Sequence, residues 1–305
     1  MDRLQFALLI SGIRHRKSTG RFRHLKKRLQ ILTASLLLTF SATAQSPTVR
    51  PLILGRVETF HSTLLDEDRR LNIYLPEGYS AGDTARYPVI YLLDGGTDED
   101  FLAVAGLVKF SSFPWVRYLQ PSILVGIENV NRKRDYTFPA TAIPDPLKTS
   151  LTGQSAAFRK MLETELLPFV ERHYRASGTR TLIGESLGGL LATEVLLKQT
   201  ALFQNYIIVS PSLWWNEGSL LQDSFRAVAQ QLQKPTQVFI AVGKEGLAPS
   251  STPHVMEVDA NILADRLRAL KHPLLQVHFD YLPAEDHATI SQQALLNAFR
   301  TLCNR

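Results

Sequence analysis

Short, uninterrupted apolar runs alternate with longer amphipathic segments along most of this chain of 305 residues. Three of the runs read VIYLL, ILVGI and YIIV. Strands that are apolar at every position are typical of a parallel sheet covered on both faces, because a strand with one face in water would alternate apolar and polar residues. Strand patterns that alternate with helix patterns predict βαβ units, and therefore an α/β fold.

The same patterns give the order of the elements. The predicted strands cover residues 57–65, 70–75, 89–93, 123–127, 181–183, 206–209, 238–242 and 277–282. The predicted helices cover residues 99–109, 156–173, 187–198, 220–232, 255–270 and 289–302. No helix separates the first two strands, so we expect an antiparallel N-terminal edge on a mostly parallel sheet with helices on both faces. One domain over residues 45–305 accommodates all of these elements.

The first 44 residues have the pattern of a signal peptide. A cationic run, HLKKRLQ, precedes an apolar stretch at 31–40 that is short for a membrane span, and Ala42-Thr43-Ala44 fits a small-x-small cleavage site. Cleavage after Ala44 would place the protein in the periplasm or outside the cell, whereas a retained signal anchor is the alternative interpretation.

The basic character of the chain resides in this leader. Nine of the 34 Lys and Arg residues, but one of the 28 Asp and Glu residues, lie in the first 44 positions. The remainder has 25 basic and 27 acidic side chains and a net charge of −2. A chain with that balance gives no electrostatic reason to expect a nucleic-acid partner or a membrane surface.

Residues 184–188 read Gly-Glu-Ser-Leu-Gly, a G-x-S-x-G pentapeptide. The apolar run TLI leads into it, and the helical pattern LGGLLATEVLLK follows it. This is the strand, sharp turn and helix that present a serine hydroxyl above a sheet, with glycines where side chains would clash. We therefore predict Ser186 as a nucleophile, the alternative being a plain turn with Ser186 as the helix N-cap.

A serine hydroxyl needs a base to accept its proton, and on such a fold the chain order is serine, acid, histidine. Four histidines follow Ser186, at positions 254, 272, 278 and 287. His287 lies in PAEDHATI, between the last predicted strand and the last predicted helix, which is where the base belongs. For the acid we choose Glu245, in the loop after the strand QVFIAV, with Glu257, Asp259 and Asp286 as its rivals.

Other loop residues at the carboxyl ends of strands are candidates for the oxyanion hole and for substrate binding. The main-chain N–H of Leu187 and those of Gly95 and Gly96, after the third strand, are the candidate oxyanion donors. The candidate substrate contacts lie in the long loop at 131–154 and in SPSLWW, with a solvated loop and core packing as the respective alternatives. They are Arg132, Arg134, Asp135, Trp214 and Trp215.

The sequence holds no HExxH or CxxC motif, no P-loop and no dinucleotide fingerprint. We therefore expect neither a metal nor a cofactor. The partner of this chain should be a small-molecule or glycan ester.

The motifs YPVIYLLDGG, NRKRD, IGESLGG, SPSLWWN and PAEDH, in this order, resemble those of bacterial esterases of the esterase D and enterochelin-esterase-like group. The resemblance implies an α/β-hydrolase fold, no cofactor, and cleavage of esters such as siderophore trilactones, feruloyl or acetyl polysaccharide esters, or S-formylglutathione. It matches Ser186 and His287 to the nucleophile and base, and residues 94–96 to the oxyanion loop. The acid varies in that group, and some relatives are acyltransferases.

The function predicted from the sequence is therefore that of a serine carboxylic-ester hydrolase that works through an acyl-enzyme. An acyltransferase on the same scaffold is one alternative. A non-catalytic binding protein with a hydrolase fold is another, and Ser186 together with His287 argues against it.

The first testable prediction concerns processing. The exported protein should begin near Gln45, because the Ala-x-Ala site follows the apolar stretch directly. Intact-mass spectrometry of the protein recovered outside the cytoplasm checks this. Recovery of that protein with residues 1–44 still attached would contradict it.

Overall fold

An eight-stranded sheet runs through the part of the protein that the computed structural model describes, residues 49–141 and 152–302. Its strands in spatial order are β1, β2, β4, β3, β5, β6, β7 and β8. Two pairings, β1–β2 and β2–β4, are antiparallel, and all others are parallel. The strands are β1 (Arg56–Ser62), β2 (Glu67–Tyr74), β3 (Tyr87–Leu92), β4 (Ile123–Ile127), β5 (Ala176–Glu185), β6 (Asn205–Val209), β7 (Thr236–Gly243) and β8 (Leu275–Leu282).

Helices follow most of the strands along the described chain. They are α1 (Phe101–Ser111), α2 (Arg132–Tyr136), α3 (Ser155–Met161), α4 (Leu167–His173), α5 (Leu187–Lys198), α6 (Trp215–Gln222), α7 (Arg226–Gln231), α8 (Met256–Ala269) and α9 (Ile290–Leu302). A π-helical segment, Leu162–Leu166, joins α3 to α4. The α/β-hydrolase architecture and its antiparallel N-terminal edge are thus confirmed.

The central strands bury both of their faces. Along β3, Val89 and Tyr91 belong to one hydrophobic cluster, which also contains buried residues of α3, α5 and α8. Ile90 and Leu92 belong to a second cluster, which contains buried residues of α1 and α9. Successive strand side chains point to opposite faces, so these two clusters lie on opposite sides of the sheet. This explains why the central strands are apolar at every position.

The structure differs from the sequence-based boundaries in several places. Helix α2 lies within the predicted long loop at 131–154, and the π-helical segment interrupts the predicted helix at 156–173. The predicted strand at 181–183 is the end of the longer β5, whose first half is polar and exposed. The predicted helix at 220–232 is divided between α6 and α7, and Asn216, Glu217 and Gly218 have left-handed φ angles of 51°, 54° and 68°. These consecutive left-handed residues bend the chain directly after the Trp pair.

Some predictions concern residues outside the described ranges. The predicted signal peptide at 1–44 and residues 142–151 of the long loop lie there. Residues from Ile53 onward form one compact unit. Among the described residues, no helix has the length and apolar character that a bilayer span requires.

A buried network of charges fixes α2, which carries the NRKRD motif. Arg69 donates from Nη2 to Asp135 Oδ2 over 2.6 Å, and both side chains are 1% exposed. Arg134 donates to Asp135 Oδ1 over 2.6 Å and to both carboxylate oxygens of Glu67. Burial raises the pKa of Glu67. Hydrogen bonds from Arg134 and the charge of Arg69 lower it by more, so the pKa lies below its ordinary value.

The structure thus gives Arg134 and Asp135, which were predicted substrate contacts, partners within the fold. Both side chains hold α2 against β2 through the network, and neither lines the large cleft described below. Their charges are already compensated within the fold, which leaves them little capacity for a ligand.

We predict that Arg69→Met lowers the free energy of unfolding by about 3–5 kcal/mol. The change removes one of the two arginines that donate to the buried Asp135 carboxylate. The matched control is Arg70→Met on the neighbouring residue, whose side chain is 65% exposed in its pair with Glu128. That change should cost less than about 1 kcal/mol. Urea unfolding of the two variants measures both values, and equal losses would contradict the prediction.

Candidate active site

Ser186 lies in a sharp turn between the end of β5 and the start of α5, with φ 56° and ψ −117°. This conformation is strained for a residue with a side chain. Glycines on either side make it possible, because a Cβ on Gly184 would lie 2.3 Å from the carbonyl oxygen of Gly188. A Cβ on Gly189 would lie 2.9 Å from the Cα of Pro211. The turn therefore brings α5 and the loop after β6 into close contact.

The Ser186 hydroxyl meets His287 at the carboxyl edge of the sheet. His287 Nε2 lies 3.0 Å from Ser186 Oγ, and His287 Nδ1 lies 2.5 Å from Glu245 Oε2. The three predicted residues come from different loops, after β5, β7 and β8. Their order of contact is serine, histidine and carboxylate, the arrangement of a catalytic triad.

The Glu245 carboxylate is held in a buried position, with its side chain 4% exposed. Oε1 accepts hydrogen bonds from the Ser210 hydroxyl and, over 3.1 Å, from the main-chain N–H of Gly243. Burial raises the pKa of Glu245, but hydrogen bonds from His287 and Ser210 lower it, and its net shift is downward. Glu245 is thus a buried carboxylate kept ionised by its partners.

The pKa of His287 is shifted in the opposite direction. The hydrogen bond that His287 Nδ1 donates to Glu245 raises the pKa above the ordinary value of 6.5, and burial opposes this. The side chain of His287 is 47% exposed, so it is open to water on one side. Glu245 therefore favours both the imidazolium form and, in neutral histidine, the tautomer with its proton on Nδ1.

The three rival acids form other hydrogen bonds. Asp259 accepts a hydrogen bond from His254 Nδ1 over 2.8 Å. Glu257 accepts from the main-chain N–H of Glu245 over 2.9 Å, so it fixes the loop of the triad acid. Asp286 accepts from two main-chain N–H groups that precede the last helix. Each rival thus has a local structural role.

Of the predicted oxyanion donors, Leu187 is placed as expected. It is the first residue of α5, where main-chain N–H groups have no intrahelical acceptor, and it lines the cleft. The N–H of Gly95 donates to the carbonyl of Ile127 over 2.9 Å, and that of Gly96 donates to Glu99 Oε2 over 2.7 Å. Both glycine donors are thus engaged within the fold, in contrast to the sequence-based prediction.

Arg132 reaches the site from α2. Its Nε and Nη2 atoms donate to the two carboxylate oxygens of Asp94, over 2.6 and 2.9 Å. Nη2 also lies 3.3 Å from the carbonyl oxygen of Glu185, the residue before Ser186. Arg132 lines the cleft, and its ion pair with Asp94 lies close to Ser186.

The cleft above Ser186 has a volume of about 690 Å³. Its wall includes Trp214 and Trp215, and Trp215 is also packed into the core with its Nε1 donating to the carbonyl of Phe138 over 2.9 Å. Trp215 therefore both lines the cleft and packs in the core. The apolar residues Leu247 and Met256 extend the wall.

Sequence reasoning missed three residues at this site. Lys133 lines the cleft beside Arg132, Ser210 donates to the triad carboxylate, and Ser212 Oγ lies 3.3 Å from Ser186 Oγ. In SPSLWW the sequence-based prediction rests on the two tryptophans. The position of its two serines directly after β6, at the same sheet edge as Ser186, was the available signal.

The family described as "Putative esterase" matches residues 62–273 of this chain. Ferri-bacillibactin esterase BesA of Bacillus subtilis (strain 168) is 29% identical over 254 residues, which is 77% of this chain and 85% of BesA. Siderophore enterobactin esterase of Emericella nidulans is 33% identical over 98 residues, about a third of each protein.

Solved structures give the same relationship. The crystal structure of an IroE-like serine hydrolase from Shewanella oneidensis is 33% identical, has a TM-score of 0.71, and covers 82% of this chain and 80% of its own. The BES protein of Bacillus cereus is 28% identical, has a TM-score of 0.73, and covers 85% of this chain and 100% of its own. The family match over more than half of the chain, with these relatives, makes this protein a member of the enterochelin-esterase-like esterase family and a hydrolase of ester bonds.

Proposed function

We propose that this esterase cleaves siderophore esters through a covalent acyl-enzyme formed on Ser186. The observation that carries the mechanism is the continuous contact from Ser186 Oγ through His287 to the Glu245 carboxylate, over 3.0 and 2.5 Å. A serine becomes a strong nucleophile when a base held in the correct tautomer accepts its proton.

In the proposed acylation, His287 Nε2 takes the proton of Ser186 while Oγ attacks the ester carbonyl. Glu245 stabilises the imidazolium that forms, and Leu187 donates its N–H to the oxyanion. The imidazolium then protonates the departing alcohol, which leaves the acyl group on Oγ.

In deacylation, His287 takes a proton from water, the hydroxide attacks the acyl carbonyl, and the returned proton regenerates the Ser186 hydroxyl. The half-exposed imidazole supports water as the acceptor of the acyl group.

Two features support a siderophore ester as the substrate class. Among the relatives, BesA is a ferri-bacillibactin esterase and the Emericella protein is a siderophore enterobactin esterase. In the cleft, Lys133 provides a positive charge beside apolar and aromatic walls, whereas the charge of Arg132 is paired with Asp94. Siderophores bind iron through anionic oxygen atoms, so a lysine beside aromatic walls suits them.

A hydrolysis panel on the purified protein tests this proposal. A trilactone siderophore, with and without iron, should be cleaved with a kcat/KM at least about 100-fold above those for p-nitrophenyl acetate and methyl ferulate, since it engages the whole cleft. Ser186→Ala should abolish cleavage of all of them, and a fluorophosphonate should label wild type at Ser186. Higher kcat/KM for methyl ferulate would overturn the substrate class, and activity within tenfold of wild type in Ser186→Ala would overturn the nucleophile.

The base and the acid should differ in their effects. We expect His287→Ala to reduce kcat about 10⁴-fold or more, because it removes the group that moves the proton. Glu245→Gln should cost about 10- to 10⁴-fold, since it removes the charge that orients and stabilises the imidazole. Asp286→Asn is the matched control. It also removes one carboxylate charge next to His287 in the chain, and it should change kcat little.

The same variants give a pH prediction. The base works when neutral, so kcat/KM falls as the pH drops through the pKa of His287, which Glu245 raises above 6.5. In Glu245→Gln that increase is lost, so the acidic limb of the profile should move to lower pH while the plateau drops. A limb that stays in place would show that Glu245 does not set the pKa of the base.

A further inference from the structure

The loop Ser210-Pro211-Ser212, directly after β6, contacts both ends of the catalytic array. Ser210 has a left-handed φ of 41° and donates its hydroxyl to Glu245. Two residues on, Ser212 Oγ lies 3.3 Å from Ser186 Oγ. Ser212 is 2% exposed, so its hydroxyl faces the nucleophile within the wall of the cleft and not bulk water.

The position of Ser212 is fixed by its main chain. Its N–H donates to the carbonyl oxygen of Ser186 over 3.0 Å, and its own carbonyl accepts from the N–H of Trp215 over 3.1 Å. Pro211 packs against Gly189 of α5, where a Cβ would lie 2.9 Å away. Ser212 and Ser186 are thus connected through both the main chain and the side chains, which fixes the loop relative to the turn at Ser186.

The direction of the hydroxyl–hydroxyl contact follows from counting protons. His287 Nδ1 faces the Glu245 carboxylate, which can only accept, so Nδ1 carries the proton. Nε2 of the neutral ring is then an acceptor, and the single proton of Ser186 points to it. Ser186 Oγ therefore has only lone pairs for Ser212, so Ser212 is the donor.

We propose that Ser212 is a catalytic residue that donates a hydrogen bond to Ser186 Oγ and stabilises the negative charge that develops on this atom; this rests on the acyl-enzyme mechanism proposed above. Charge rises on Oγ when its proton moves to His287, and again when the acyl–Oγ bond breaks in deacylation. Ser212 keeps its own proton throughout, and the proton that neutralises Oγ returns from His287 Nε2.

The length of the contact is consistent with this role. An O–H···O bond of 3.3 Å is long for two neutral hydroxyls, for which about 2.7–2.8 Å is usual. A hydrogen bond to an anionic oxygen is shorter and about twice as strong as one between neutral groups. A contact that is weak in the resting enzyme and strong when Oγ is charged lowers the barrier and not only the energy of the ground state.

The test compares Ser212→Ala with Ser212→Thr, which retains a hydroxyl, and with Ser111→Ala. Ser111 is a fully buried serine in α1 that does not line the cleft, so it controls for loss of any buried hydroxyl. We expect Ser212→Ala to lower kcat, and the rate of fluorophosphonate labelling of Ser186, by about 10- to 100-fold. The melting temperature and the pH midpoint of kcat/KM should stay as in wild type, because His287 and Glu245 are unchanged. Ser212→Thr should recover most of the activity, and Ser111→Ala should resemble wild type.

Two results would overturn this role. Ser212→Ala with kcat and labelling within twofold of wild type would show that the hydroxyl does not act on Oγ. Equal losses in Ser212→Ala and Ser212→Thr, with a shifted pH midpoint, would show that position 212 only supports the packing of the triad. Both are distinct from failure of the acyl-enzyme mechanism, in which wild type would lack the Ser186 label and Ser186→Ala would stay active.

Discussion

The parallel, in-register pairing of β5, β6, β7 and β8 is the constraint on which the site depends. Glu185 pairs with Val209, Val209 with Ala241, and Gly243 with Leu282. Parallel strands that end at the same level release their following loops at one edge of the sheet. Those loops supply the residues that meet there, namely Ser186, Ser210, Glu245 and His287.

The same edge concentrates features that cost stability. Ser186 and Ser210 adopt left-handed backbone conformations, each of which costs about 1–3 kcal/mol. Glu245 is a nearly buried carboxylate that remains ionised because Ser210, Gly243 and His287 donate to it. The two apolar clusters on either side of the sheet provide the stability that offsets these costs. The array is therefore held in place before substrate arrives, which is how fixed dipoles and charges lower a barrier.

Much of this was determined by local sequence. Apolar runs with no alternation predicted a sheet covered on both faces, because each strand must bury side chains in both directions. The pentapeptide at 184–188 predicted the nucleophile turn, because the glycines are needed where the main chain of β5 meets α5. The position of His287 after the last strand followed from the order of elements, since loops at the carboxyl ends of parallel strands converge. Periodicity and chain order are local properties, so a sequence expresses them directly.

Only the tertiary structure decided which polar groups are occupied by other partners. Glu245 is the carboxylate that contacts His287, whereas Glu257 fixes the Glu245 loop and Asp259 binds His254. Gly95 and Gly96 donate within the fold, although their sequence suits an oxyanion hole. Two arginines of the same short helix also differ in their partners. Arg132 faces the cleft, whereas Arg134, two residues on, faces a buried network. Hydrogen bonds and ion pairs join residues far apart in the chain, so their pairing depends on packing that no local pattern encodes.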